Sequence, residues 1–205
     1  MRREISAGDV ARGAVFFPFV GAAVGAATAG VALLAHLAFS PLLSAALAVA
    51  AATALTGALH VDGLADTADA LGGRTRERRL EIMRDSRIGT FGAAAVALDL
   101  LIKVAAVQQL VSHGLLPALI AAGALSRASS VVLAGWLPYA RESGTGGVLG
   151  RPSRLALAVC APAAPISYPF VLAYRRLLGG VTGDALGAAI ELTETLVLVV
   201  AAALA

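Results

Sequence analysis

From Ala14 to Leu59 the chain runs 46 residues without an Asp, Glu, Lys or Arg. No water-facing surface can be made from such a run, because nothing in it solvates an outward face. A helix needs about 20 apolar residues to cross a bilayer core. The run therefore reads as two spans, Ala14–Phe39 and Pro41–Leu59, joined by a tight turn at Ser40 and Pro41. The rest of the chain agrees. It is 59% hydrophobic and only 14% charged, where a soluble domain is about half apolar and about a quarter charged. Lipid must be the solvent for most of this surface. The expected fold is an all-α polytopic transmembrane bundle of about six membrane segments (roughly five to seven), a single integral membrane domain over residues 1–205.

Three further spans follow a charged loop. Ala93–Ser112 carries Asp99 and Lys103 one helical turn apart, which suggests a mutual ion pair or a lined cavity. Leu115–Leu137 carries Arg127 near its middle, where it should meet a carboxylate or a ligand phosphate. The last apolar run ends at Ala205. Between these, Leu155–Tyr174 is broken by Pro162, Pro165 and Pro169. If it crosses once, Arg175, Arg176 and the segment after them fall opposite the charged loop; a re-entrant hairpin keeps both on one side. Basic residues gather in the lead-in Met1–Arg12, the 60–92 loop, the 138–154 loop and Arg175–Arg176. That bias puts the charged loop in the cytoplasm and favours the hairpin. In the first span Gly21, Gly25 and Ala29 recur every four residues, a face along which helices approach closely and two copies would self-associate. A net charge of +3 spread between spans makes no basic patch, so nucleic acid is not an expected partner. The lone Cys160 reads as apolar filler.

The charged loop, His60–Gly92, holds six of the chain's thirteen carboxylates and six of its sixteen basic residues. Asp62, Asp66 and Asp69 in HVDGLADTADA line one helical face. Adjacent carboxylates repel unless a cation lies among them. An all-oxygen set suits a hard ion, and Mg²⁺ typically takes one or two carboxylates plus substrate phosphates. Gly63, Ala65 and Ala68 leave room for a close neighbour. Arg74 to Arg79 read as contacts to lipid head groups. Arg84 and Arg87, just before the chain re-enters the membrane, suit a diphosphate clamp. A second acidic face lies in GGVTGDALGAAIELTE, where Asp184, Gly187, Glu191 and Glu194 share one stripe and Thr182 or Asp184 caps the helix. Two such stripes suggest a metal–diphosphate site between helix ends, a pattern that fits several Mg²⁺-dependent membrane transferases.

HVDGLADTADA followed by LEIMRDSRIGTFG resembles the cobalamin synthase (adenosylcobinamide-GDP ribazoletransferase) family, as do FFPFVG at 16–21, YARESG at 139–144 and GGVTGDALGAAIELTE at 179–194. The resemblance runs from about residue 10 to the C-terminus. It implies a Mg²⁺-dependent enzyme of the bacterial cytoplasmic membrane. The substrates it implies are adenosylcobinamide-GDP and α-ribazole or its 5′-phosphate; the products are adenosylcobalamin or its phosphate, and GMP. In that reading the ribose 3′-hydroxyl attacks the phosphorus on the corrinoid arm. Asp62, Asp66, Asp69 and Asp184, with Glu191 and Glu194 as further ligands, would hold Mg²⁺. Arg84 and Arg87 would hold phosphate, with Arg127 a third candidate. His60 is the candidate base and Asp85 its competitor. Two rivals stand beside it: a transporter or corrinoid-binding protein using Asp99, Lys103 and Arg127 at mid-depth, and a different diphosphate transferase.

Overall fold

The computed structural model describes residues 11–141 and 151–205. Arg2 and Arg3 of the basic lead-in, and Glu142 with the glycines after it, lie outside the described residues. Among the described residues the regular structure is helical, apart from one isolated bridge between Tyr139 and Val181. The helices are α1 Phe17–His36, α2 Pro41–Leu55, α3 Leu59–Asp69, α4 Arg76–Ile82, α5 Thr90–Ser112, α6 Pro117–Trp136, α7 Arg154–Cys160, α8 Ala164–Leu177 and α9 Gly183–Ala203. Five helical stretches of the described chain are long and apolar enough to cross a membrane, six with α2 and α3 taken as one bent pair. The polytopic bundle expected from the sequence is what the chain forms.

Local chemistry sets the boundaries. Ser40 caps α2, its hydroxyl accepting from Leu43 N at 3.4 Å, and Pro41 occupies the first turn. The second span ends at Leu55, four residues before the Leu59 expected. Gly57 and Ala58 both take left-handed φ, 61° and 56°, and the chain turns by 89° into α3. Such a φ is uncommon for alanine, so the corner is not marked by the residue that makes it.

Helices α6 and α9 form the interior: 67% and 61% of their apolar windows are buried, against 22% for α1 and 28% for α5. The small-residue face of α1 is spent inside the molecule. A Cβ on Gly21 would overlap the carbonyl of Gly123, and one on Gly25 that of Leu119, both on α6. The face expected to support self-association is thus covered by α6 of the same chain.

The segment from α7 to α8 is long enough to span, but its two ends meet the same end of α6. Leu157 packs on Gly135. At the other end Val181 N donates to Pro138 O at 2.9 Å, and Ala140 N donates to Val181 O at 2.8 Å. The start of α9 therefore lies on the same side as α3 and α4, as the proline-broken hairpin requires.

Arg76 and Arg79 take part in this junction rather than facing lipid. Arg76 donates to Leu178 O at 2.7 Å and Ala140 O at 3.0 Å, and Arg79 to Leu177 O at 3.3 Å. They satisfy carbonyls left free at the C-terminus of α8, which corrects the head-group reading for these two. Arg78 pairs instead with Glu81 at 2.7 Å.

Candidate active site

The site begins where α3 crosses α9. A Cβ on Gly63 would lie 2.6 Å from Asp184 O and 3.1 Å from its Cα. One on Gly187 would meet His60 Cα at 3.4 Å and Gly63 Cα at 3.5 Å. The two backbones touch because each helix offers glycine at the crossing. Thr182 caps α9 there, its Oγ1 accepting from Ala185 N at 3.1 Å.

This crossing gathers the charges. Asp62 is exposed and Asp66 half-buried. The negative charges acting on Asp66 are, largest first, those of Asp184, Asp62 and Asp69, with Arg141 opposing them. Arg141 Nη2 stands 2.9 Å from Asp184 Oδ2. His60 lies on the α9-facing side of α3, with Nδ1 buried and without a hydrogen bond and with Arg127, Glu194 and Lys103 as its charged neighbours. Oγ1 of Thr67, two turns further on, is also buried and without a hydrogen bond.

Asp69 is turned elsewhere. Its Oδ2 accepts from Gly89 N at 2.7 Å and its Oδ1 from Gly92 N at 2.8 Å. These are free amides of the first turn of α5, so the carboxylate caps that helix from a distance. Glycine is required at both positions, because a Cβ at either would run into the Asp69 carboxylate.

Asp85 and Arg87 form an exposed fork, with Nε to Oδ1 at 3.0 Å and Nη2 to Oδ2 at 2.6 Å. Hydrogen bonds from the Arg87 side chain pull the Asp85 carboxyl down to about 2. A carboxylate that acidic is a poor proton acceptor near neutrality. A shallow cleft of about 500 Å³ opens beside this pair, lined also by Asp69, Ile88 and Phe91.

Glu191 and Glu194 lie about 10 and 15 Å further along α9, at 1.5 Å per residue. There they meet Lys103 and Arg127. Lys103 binds Glu191 directly, with Asp99 at 3.5 Å and Glu194 at 3.6 Å. Arg127 binds Glu194 and, through Nη1, Ser126 Oγ at 2.9 Å. Thr195 donates to Asp99. The Asp99–Lys103 pair expected from their spacing exists, but it belongs to a five-charge network. A cavity of about 30 Å³ borders the network, with Thr28 and Thr53 on its far wall. That is space for about one water, far too little for a corrinoid.

A family model for cobalamin-5-phosphate synthase matches residues 1–202. The chain belongs to the cobalamin-5-phosphate synthase family. A relative from Azorhizobium caulinodans, named adenosylcobinamide-GDP ribazoletransferase, is 42% identical over 218 residues, covering 91% of this chain and 82% of the relative. No solved structure matches the chain.

In this cobalamin-5-phosphate synthase family member, the six carboxylates read from the sequence as one ligand set fall into three places. Asp62, Asp66 and Asp184 share the α3–α9 crossing. Asp69 holds the start of α5, and Glu191 and Glu194 are committed to buried cations. Among the described residues no three His, Cys, Asp or Glu groups form a ready metal-binding cluster. Of the three arginines assigned to phosphate, Arg87 pairs with Asp85, Arg127 with Glu194, and Arg84 is exposed. The cation that does reach the acidic crossing is Arg141. Sequence reasoning placed it in a loop and gave it no role, since an isolated Arg after a span has no periodicity to mark it.

Proposed function

We propose that this chain performs the transfer its family is named for at the α3–α9 crossing, with Mg²⁺, on the cytoplasmic side of the bacterial inner membrane. The family and the relative's name support the activity: adenosylcobinamide-GDP is joined to α-ribazole or its 5′-phosphate, giving adenosylcobalamin or its phosphate and GMP. The observation that carries the site is the backbone contact between Gly63 and Asp184, which brings Asp62 and Asp66 of one acidic stripe to Asp184 of the other. The clustering of basic residues on that side supports the cytoplasmic orientation.

The acidic residues of the crossing do not form a complete metal cage by themselves, but they suit Mg²⁺ as a partial set that substrate phosphates would complete. Asp62 and Asp66 are one turn apart and accessible, and Asp184 Oδ2 is buried with the Arg141 Nη2 cation 2.9 Å away. Like-charged groups so close favour a bound cation. Asp62, Asp66 and Asp184 would hold the ion with the substrate's phosphate oxygens, the usual way Mg²⁺ is bound. When bound it would neutralise the diphosphate's charge.

The chain's own residues supply the rest. The ribose hydroxyl oxygen forms the new bond to the corrinoid-side phosphorus as the bond to the GMP oxygen breaks. His60 is the base the family resemblance offers for the hydroxyl proton, although its buried ring lies toward Arg127, Glu194 and Lys103 and not among Asp62, Asp66 and Asp184. Asp85, held by Arg87, is the weaker candidate. The crossing fixes Asp62 and Asp66 of α3 against Asp184 of α9, and positioning is most of what phosphoryl-type transfer asks of a protein.

The test is GMP release and corrinoid product formation by purified protein in nanodiscs, given both substrates with and without Mg²⁺. Product that depends on Mg²⁺ supports the reading. Folded protein that binds the corrinoid without turnover contradicts it.

A further inference from the structure

Arg141 lies in the acidic crossing, yet the transfer described above gives it no work. Its side chain is only 11% exposed. Nη2 approaches Asp184 Oδ2 at 2.9 Å and donates to Met83 O at 3.4 Å. The neighbouring Nε is buried and without an acceptor, and Asp184 Oδ2 forms no hydrogen bond despite the short approach. The ion pair is close but misaligned. Nε and Nη2 make one edge of the guanidinium, the edge that binds two oxygens at once. Arg87 uses that edge fully on Asp85; Arg141 uses half of it.

Unmet hydrogen-bonding capacity is concentrated here. Seven buried side-chain polar atoms of the described residues have no hydrogen bond. Three belong to Tyr139–Arg141 or to the start of α9 that this stretch is bridged to: Tyr139 OH, Arg141 Nε and Asp184 Oδ2. Such atoms are rare in folded proteins and call for a ligand or an equivalent partner. The bridge from Tyr139 to Val181 fixes the Arg141 backbone against the start of α9.

We propose that Arg141 binds the diphosphate of the nucleotide-linked substrate, its guanidinium edge exchanging Asp184 for two phosphate oxygens. This rests on the reading of the α3–α9 crossing as the transfer site. A diphosphate offers an acceptor to both Nε and Nη2, and it frees Asp184 for its other role. Arg84 and Arg87, exposed and in Arg87's case already paired, are the weaker claimants.

Equilibrium binding in nanodiscs tests it with three probes: adenosylcobinamide-GDP, GDP alone, and adenosylcobinamide, which has no phosphate. Arg141→Gln is expected to weaken the first two roughly 10- to 100-fold, the range for hydrogen bonds to charged groups. Adenosylcobinamide should bind unchanged, which also reports an intact fold. Arg141→Lys should recover only part of the loss, because a point charge lacks the fork. In an Asp184→Asn background Arg141→Gln should still weaken GDP. Equal weakening of all three probes, or no effect of Arg141→Gln once Asp184 is neutral, would overturn the proposal and leave Arg141 a holder of Asp184. Wild-type protein that binds neither GDP-bearing probe would overturn the transfer reading, and this proposal with it.

Discussion

Gly63 has no Cβ because the carbonyl oxygen of Asp184 stands 2.6 Å from where one would be. Those two residues are 121 positions apart, and their contact makes one site of two acidic helices. Gly63→Ala must push α3 off α9 and separate Asp62 and Asp66 from Asp184. Turnover should fall about 100-fold, the loss that an ångström of misplacement causes. Gly30→Ala is the control, since a Cβ there meets nothing within 4 Å. It should leave turnover unchanged.

Asp69 and Asp66 should affect stability with opposite signs. Asp69→Ala strips two amides of a charged acceptor and is expected to cost about 2 kcal/mol. Asp66→Ala removes a carboxylate that Asp184, Asp62 and Asp69 repel, so it should leave stability level or raise it. Thermal unfolding of both variants in the same detergent compares them directly.

The buried network predicts a third result. Asp99, Glu191 and Glu194 face only Lys103 and Arg127 within it. Lys103→Met leaves three carboxylates against one cation and should cost roughly 3–5 kcal/mol, the usual cost of breaking a buried pair. Adding Glu191→Gln should recover part of that. Folded yield from membranes and the unfolding midpoint would report both.

The sequence made the spans legible wherever charge was absent for long enough, as across Ala14–Leu59. It hid the corner after α2, because Ala58 in a left-handed conformation has no compositional signal. Helical spacing correctly put Asp184, Glu191 and Glu194 on one face. Spacing cannot say what lies opposite each turn of that face, so three carboxylates with different neighbours looked like one site. The same gap explains Arg76 and Arg79. Arginine beside a membrane suggests head groups, and only tertiary structure brings the carbonyls of Leu177 and Leu178 within reach.

Small residues on α1 make a fourth test. Gly21 and Gly25 are filled by α6 of the same chain, so Gly21→Leu should lower folded yield and not merely change oligomeric state. Size-exclusion chromatography with light scattering distinguishes the two. Folded protein with an altered mass would contradict the packing.

The most direct test of the divided acidic residues is Mn²⁺ binding, followed by electron paramagnetic resonance in nanodiscs with GDP present. The account predicts saturable binding that Asp66→Asn abolishes and Glu194→Gln leaves intact, because Asp66 lies at the α3–α9 crossing and Glu194 is committed to Arg127. Binding that survives Asp66→Asn and is lost in Glu194→Gln would move the metal into the membrane interior and contradict the account.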